Sequence, residues 1–369
     1  MKNNICCIFN LAPHYNASTY KIMDRELQCE FFIGDRVASS IKLMNYNDLK
    51  GFKKILHYIP LIGKFYWQKQ AVNLAFRNYK NYIITGEPYC ISTWLILLIT
   101  KLLGKKTYLK THGWYGDETL IKKILKKFFF SLSSKVLLYG DYARDLMLKE
   151  GFSPEKLVCI YNALNYDQQW LIRQGLKKTN IYKQYFGNEY PVLLYIGRIQ
   201  AIKKLKLLVE AQLELHRKGI KCNLVIVGEE VENTNIKAIV AKNKLNDYAW
   251  FYGACYEEKI LGEIIYNADV CVSPGNIGLT AMHSLVYGTP IITHNNFANQ
   301  MPEFEAIEKG VTGDFFIENS LEDLCSKIEY WISQDPISRE KIRVRCYAKI
   351  EDKYNPVVQI NILKKLFSL

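Results

Sequence analysis

Two cations five residues apart, Arg198 and Lys203, follow the apolar run 192–196 across a single glycine, Gly197. If a strand ends at that glycine and a helix begins near 204, both side chains sit where the strand's carboxyl end meets the helix's amino end. A guanidinium, an ammonium and the positive end of a helix dipole meeting there suit a diphosphate, which arginine can hold bidentately. Two solvated surface cations are the plainer reading. A second anion-friendly start lies in "SPGNIGLTAMHSLVYGTPIITH", residues 273–294, where Gly275 and Gly278 bracket Asn276 and Ile277 ahead of a helix-like stretch from Leu279. A glycine loop opening a helix presents unpaired backbone N–H groups, although glycine also simply relieves strain in a turn. His283 lies on that helix, and His112, in "TYLKTHGWYGDE" (107–118), lies just past a strand end.

The elements that must position these residues alternate along the chain. Apolar runs at 5–9, 30–33, 82–85, 107–110 and 135–139 read as strands, with helices at 18–27, 93–103, 120–132 and 142–150. In the second half the strands are 192–196, 223–227, 250–252, 270–273 and 290–293, and the helices 204–218, 237–244, 257–266 and 279–287. Such alternation predicts parallel sheets covered by helices on both faces. The expected fold class is α/β, with two doubly wound domains facing a central cleft between the carboxyl ends of their strands. The divisions fall at 1–164 (acceptor-binding domain), 165–190 (a polar linker), 191–345 (nucleotide-sugar domain) and 346–369 (a helical segment crossing back to the first domain).

Composition narrows the partners. The chain has 369 residues, and its 49 basic against 36 acidic groups give a net charge of +13, which suits an anionic partner. Twenty-six tyrosines and seventeen phenylalanines exclude a disordered polybasic protein. Ten cysteines without a C-x-x-C pair argue against zinc and redox sites. The longest apolar run, 94–103, falls short of the roughly 18 residues of a membrane span, and no signal peptide opens the sequence. A cytoplasmic protein is expected.

The ordered series "GRI", Lys203 with "LLVEA", "LVIVG", "FYGACYEEKI", "ADVCVSPGNIGLTAMHSLVYGTPIITH" and "MPEFEAIEKGVTGDFF" resembles the retaining family 4 glycosyltransferases across the carboxyl half. The resemblance implies the GT-B architecture of two Rossmann-like domains. It implies that Arg198 and Lys203 hold the donor diphosphate and that Gly197 lies beside them. Gly253 would meet the nucleotide base, and Gly275, Asn276, Ile277, Gly278, Leu279 and Glu303 would surround donor sugar and phosphate. That family has two glutamates eight positions apart where this chain has Gly275 and His283. The first contacts the donor sugar and the second the ribose. Gly275 therefore removes a side-chain contact, whereas His283 can accept a ribose hydroxyl bond through a neutral ring nitrogen or else pack between Leu279 and Tyr287. A histidine matching His112 flanks donor sugar and phosphate in similar members, so His112 joins Arg198 and Lys203 as a catalytic candidate. "NLAPHYNAST" (10–19) offers His14, Tyr15 and Asn16 as acceptor contacts, while His57 and His216 read as surface residues in helical stretches.

"TLIKKILKKFFFSLSSK" (119–135) reads as an amphipathic helix, with Lys122, Lys123, Lys126 and Lys127 on one side and Ile121, Leu125, Phe128 and Leu132 on the other. The segment 50–69 is similarly apolar and basic but is broken by Pro60. Both suit docking on an anionic membrane surface, or a core-packed helix with solvated lysines; no nucleic-acid module is present. The expected function is a retaining glycosyltransferase that moves a sugar from a UDP-linked donor to a glycan or lipid-linked acceptor in capsule, exopolysaccharide or O-antigen synthesis. It would work in the cytoplasm, peripherally at the inner membrane face. No Asp-x-Asp pair occurs, so neither a catalytic metal nor a cofactor is expected. The alternative is a non-catalytic GT-B-like subunit that binds nucleotide or glycan and scaffolds a partner.

Overall fold

The computed structural model describes residues 5–35 and 42–368. The chain divides into two compact units, Met1–Asn165 with Asn355–Leu369, and Tyr166–Tyr354. In the first lie β1 (Ile5–Phe9), α1 (Ala17–Leu27), β2 (Glu30–Gly34), β3 (Phe52–Leu56), β4 (Tyr58–Pro60), β5 (Tyr66–Gln68), β6 (Asn81–Thr85), α2 (Ile91–Leu102), β7 (Lys106–Thr111), α3 (Leu120–Leu132), β8 (Lys135–Leu138), α4 (Asp141–Lys149) and β9 (Leu157–Cys159). Its main sheet has the order β3-β2-β1-β6-β7-β8-β9, with every neighbouring pair parallel. Strand β1 is buried along its whole length, as the uninterrupted apolar run ICCIF requires of a parallel strand covered on both faces.

The second unit begins with α5 (Tyr166–Gly175) and α6 (Ile181–Phe186). There follow β10 (Val192–Ile196), α7 (Leu205–Arg217), β11 (Asn223–Val227), α8 (Ile236–Lys242), β12 (Ala249–Gly253), α9 (Glu258–Asn267), β13 (Val270–Ser273), α10 (Thr280–Val286), β14 (Ile291–His294), β15 (Gly313–Phe316), α11 (Leu321–Ile332) and α12 (Pro336–Asp352). Its sheet runs β12-β11-β10-β13-β14-β15, again with parallel neighbours throughout. Each sheet reverses its winding at its first-formed strand, β1 or β10, the Rossmann-like arrangement that puts a ligand crevice at the carboxyl ends of the strands. The architecture is GT-B.

The last helix, α13 (Pro356–Phe367), belongs to the first unit and packs on α1. Its start is encoded locally. Pro356 stops α12 from continuing, and the Asn355 side chain accepts from the N–H groups of Val357 and Val358.

Several elements differ from the sequence expectation. Segment 50–69 is the edge strand β3 plus the β4–β5 hairpin, so His57 is not helical; its Nδ1 faces Asp35 at 2.8 Å. His216 is on a helix, α7, but is half-buried and bonded to the Cys222 carbonyl at 2.8 Å. The polar stretch 165–190 carries α5 and α6, which pack on α9; Tyr182 donates to the Ile264 carbonyl. No helix among the described residues is long and apolar enough to cross a membrane.

Candidate active site

In the second unit, β10 ends at Gly197 and delivers Arg198, which is exposed and forms no ion pair among the described residues. Lys203 follows in a 3-10 turn, half-buried, and its Nζ donates to the Asn276 carbonyl at 2.7 Å and to Asn276 Oδ1 at 2.8 Å. Burial first, and Arg198 second, push the Lys203 ammonium down to about 8 against the opposing pull of Glu303. An ammonium has three protons, so one remains for a ligand. Lys203 thus couples the loop after β10 to the glycine loop after β13.

That coupling explains Gly275. A Cβ there would lie 2.0 Å from the Ile202 carbonyl oxygen and 2.6 Å from Lys203 Cα, and the Gly275 N–H donates to the Lys203 carbonyl. No side chain fits, so a glutamate at this position is sterically excluded in this loop conformation. Gly278 differs: its nearest neighbour would be Met301 Cγ at 3.7 Å, with Glu303 Oε2 at 4.0 Å. The buried Glu303 carboxylate therefore lies behind the loop at the point where Gly278 carries no side chain.

Among the expected loop contacts, Ile277 is not available. Its side chain is buried, and its N–H donates to Gln300 Oε1 at 2.6 Å. Asn276 uses both oxygens on Lys203. The N–H groups of Gly278 and Leu279 donate to no acceptor among the described residues and open the short helix α10. Gly253 ends β12 exposed, with its carbonyl accepting from Gly228.

His283 is placed differently from both expectations. Its Nε2 lies 2.8 Å from Glu258 Oε1, the oxygen that also accepts from Tyr287 at 2.8 Å and Gln169 at 3.0 Å. Burial alone would raise the Glu258 pKa; His283, Gln169 and Tyr287 overcome it and hold the carboxyl at about 2. Rather than facing a ribose with a free Nε2 or merely packing, His283 orients a carboxylate. Glu258 was not legible as a site residue, because it stands 25 positions before His283 and the two meet only once α9 and α10 have both packed against α5.

In the first unit, His112 follows β7 with its Nδ1 buried and without a partner among the described residues. Burial, then Lys126 and Lys110, pull its pKa down to about 4, so its ring is neutral at pH 7. Any help to a phosphate comes from a neutral N–H donor, not an imidazolium. His14 has its Nδ1 3.0 Å from the Lys42 carbonyl, and its ring meets Tyr15 at 5.5 Å. Asn16 points inward, with Oδ1 buried and without a partner among the described residues, so it does not face solvent as an acceptor contact would.

Helix α3 splits both expected faces: Leu132 is buried and Leu125 half-buried, but the rest of the apolar side faces outward. Leu120, Ile121, Ile124 and Phe128 are 73%, 81%, 62% and 59% exposed. Lys126 instead turns inward to Glu118 at 2.6 Å and over the Trp114 ring, while Lys123 pairs with Glu150 at 2.6 Å. Lys122 and Lys127 remain exposed beside the apolar face.

Comparison with known proteins fits this geometry. Residues 177–349, just under half of the chain but nearly all of the second unit, match the family model described as glycosyl transferases group 1. The alpha-D-kanosaminyltransferase of Streptomyces kanamyceticus is 24% identical over 262 residues, a match spanning 69% of this chain and 66%, just short of two thirds, of that protein. Among solved structures, HepE of Anabaena in complex with UDP aligns with a TM-score of 0.75 at 13% identity, covering 99% of this chain and 100% of that one. A glycosyltransferase from Rickettsia africae gives 0.75 at 17% identity, covering 100% and 98%. The lipopolysaccharide outer core galactosyltransferase WaaB gives 0.70 at 15% identity, covering 99% of each chain.

Proposed function

We propose that the protein is a retaining glycosyltransferase that moves a sugar from a UDP-linked donor to a glycan or lipid-linked acceptor in bacterial surface polysaccharide synthesis. The observation that carries this is the convergence of Arg198, Lys203 and the unpaired N–H groups of Gly278 and Leu279 around one glycine loop. These donors would stabilise the charge that grows on the departing diphosphate. The acceptor hydroxyl would attack from the leaving group's own face without a protein nucleophile. Glu258 would accept the ribose hydroxyl through Oε2, with His283 fixing its orientation through Oε1. UDP is favoured because HepE is a UDP complex, and a surface glycan because WaaB acts on lipopolysaccharide core.

The acceptor's lipid anchor would be met by the outward apolar face of α3, continued through Trp94, whose ring lies 5.7 Å from Phe128, to the exposed Leu98 and Leu102 of α2. Segments 91–111 and 119–135 hold four and five lysines and no acidic residue. Leucine and isoleucine beside lysine suit an anionic lipid surface, since protein interfaces deplete lysine and favour aromatic residues and arginine. On this basis the protein works at the cytoplasmic membrane face.

A panel of nucleotide sugars offered with a lipid-linked glycan extract tests the function, read by mass spectrometry, with the product's anomeric configuration read by NMR. Transfer from a UDP-sugar with retained configuration is expected. An inverted product would overturn the retaining mechanism, and UDP binding without transfer from any donor would leave a binding subunit.

A further inference from the structure

Lys110 is out of place. The sheet face that it shares is built from Cys7, Phe9, Ile83, Tyr108 and Leu137, and α1 and α13 cover it. Register puts Lys110 beside Thr85 of β6 and Leu137 of β8, two residues on from Tyr108. The residue is 7% exposed, yet its ammonium makes no ion pair or hydrogen bond among the described residues. Aromatic rings stand around it instead: Tyr20 and Tyr139 centroids at 5.6 Å and Phe9 at 6.0 Å. Ring faces recover only part of the hydration that a buried ammonium loses. Burial accordingly pushes Lys110 down to about 8. A methionine of similar shape would remove that cost, so a purely structural role favours replacement rather than retention.

A second unpartnered group lies alongside. The His112 ring is 5.0 Å from the Tyr139 ring that also faces Lys110, and its buried Nδ1 has no partner among the described residues. An ammonium and an imidazole nitrogen, both lacking acceptors or donors and sharing one tyrosine, stand at the carboxyl end of β7, where such folds take ligands. We propose that Lys110, framed by Phe9, Tyr20 and Tyr139 and flanked by His112, binds an anionic substituent, a carboxylate or phosphate, on a sugar ligand of the amino-terminal unit. Taking that ligand as the acceptor rests on the glycosyltransferase function above; the anion site itself does not.

The test uses the full chain with glucuronate, glucose 1-phosphate and uncharged glucose as probes, titrated calorimetrically, and UDP as the control. Wild type is expected to bind one or both anions in the millimolar range and glucose at least about tenfold more weakly, the effect of losing a charged hydrogen bond. The two anionic arms tell carboxylate from phosphate. Lys110→Met should lose that preference while melting at or above the wild-type temperature, and Lys110→Arg should keep part of it. UDP affinity should not change in either variant. Lys110→Met that melts well below wild type with anion binding intact would make the lysine structural and overturn the proposal. Equal binding of glucose and both anions by wild type would overturn it as well. Loss of UDP affinity in Lys110→Met would reassign the cation to the donor. If wild type binds UDP but neither anion, the anion site falls while the proposed function stands; anion binding without UDP binding reverses that outcome.

Discussion

Each unit places a lysine near the carboxyl ends of its strands, Lys110 buried and Lys203 half-buried, and burial pushes both ammonium groups down to about 8. Their surroundings differ. Lys203 is gripped by two oxygens of Asn276, so it joins two loops as well as offering a charge. Lys110 has no acceptor among the described residues, and three ring faces stand near its ammonium. A buried cation that holds the backbone together is hard to separate from the fold, whereas one with no acceptor is a free parameter whose removal should cost binding and not stability. Arg198, exposed and unpaired, is the second kind within the first kind's site.

The sharpest break in that comparison is Arg198 against Lys203. Arg198→Ala should slow turnover by about 100- to 1000-fold at an unchanged melting temperature, as expected for a donor aimed at developing charge. Lys203→Ala should lose similar activity and also about 1–3 kcal/mol of stability, because it leaves the Asn276 oxygens without a donor. Parallel steady-state kinetics and urea unfolding decide it; equal stability of the two variants would mean that the Lys203 grip does not hold the loop. Next comes the loop itself. Gly275→Ala drives a Cβ into the Ile202 carbonyl and should cost about 3 kcal/mol, at the upper end for overpacking. Gly278→Ala meets only ordinary contacts and should unfold within about 0.5 kcal/mol of wild type.

A smaller effect separates a paired carboxylate from these cations. Glu258 is held at about 2, below its ordinary 4.5, so its contribution is complete above about pH 4.5 and is lost as pH falls towards 2. Between about pH 6 and pH 3 wild type should lose about 2 kcal/mol that Glu258→Gln does not. Matching slopes in urea unfolding across that range would remove Glu258 from the account. The smallest effect belongs to α3. Lys122→Gln with Lys127→Gln should weaken sedimentation with phosphatidylserine vesicles by about 1 kcal/mol per lysine. Lys123→Gln and Lys126→Gln, whose partners are Glu150 and Glu118, should change vesicle binding little. The reverse pattern would put the helix's lysine face, not its apolar face, against lipid.

Buried parallel strands were the most legible part of the chain, because continuous apolar runs such as 192–196 and 224–227 fall within β10 and β11. The edge strand β3 was not legible, since Lys53, Lys54 and Ile55 all face solvent and break any alternation. Periodicity marked α3 as amphipathic but could not tell which face met the protein. That depended on Glu118, which drew Lys126 inward against the Trp114 ring. Arg198, Lys203 and the glycine loop could be read from spacing, because strand, loop and helix follow in sequence. Glu258 and Lys110 could not, since one acquires its partner across two helices and the other reads as an ordinary strand-end lysine.

The return of α13 to the first unit also sets an order of synthesis. Ile360 and Leu363 belong to the apolar cluster over β1, and the Phe367 ring meets Tyr108 at 4.9 Å. Residues 5–35 leave the ribosome early, yet α13, which covers their sheet together with α1, is made only after Tyr354. Tyr166–Tyr354 has all its sequence before then and can finish first, contrary to the usual amino-terminal-first order of domain completion. The nascent amino-terminal sheet therefore waits with α1 alone over that face until the whole second unit has been made, and a ribosome stalled before residue 356 would hold a finished second unit and a half-covered first one.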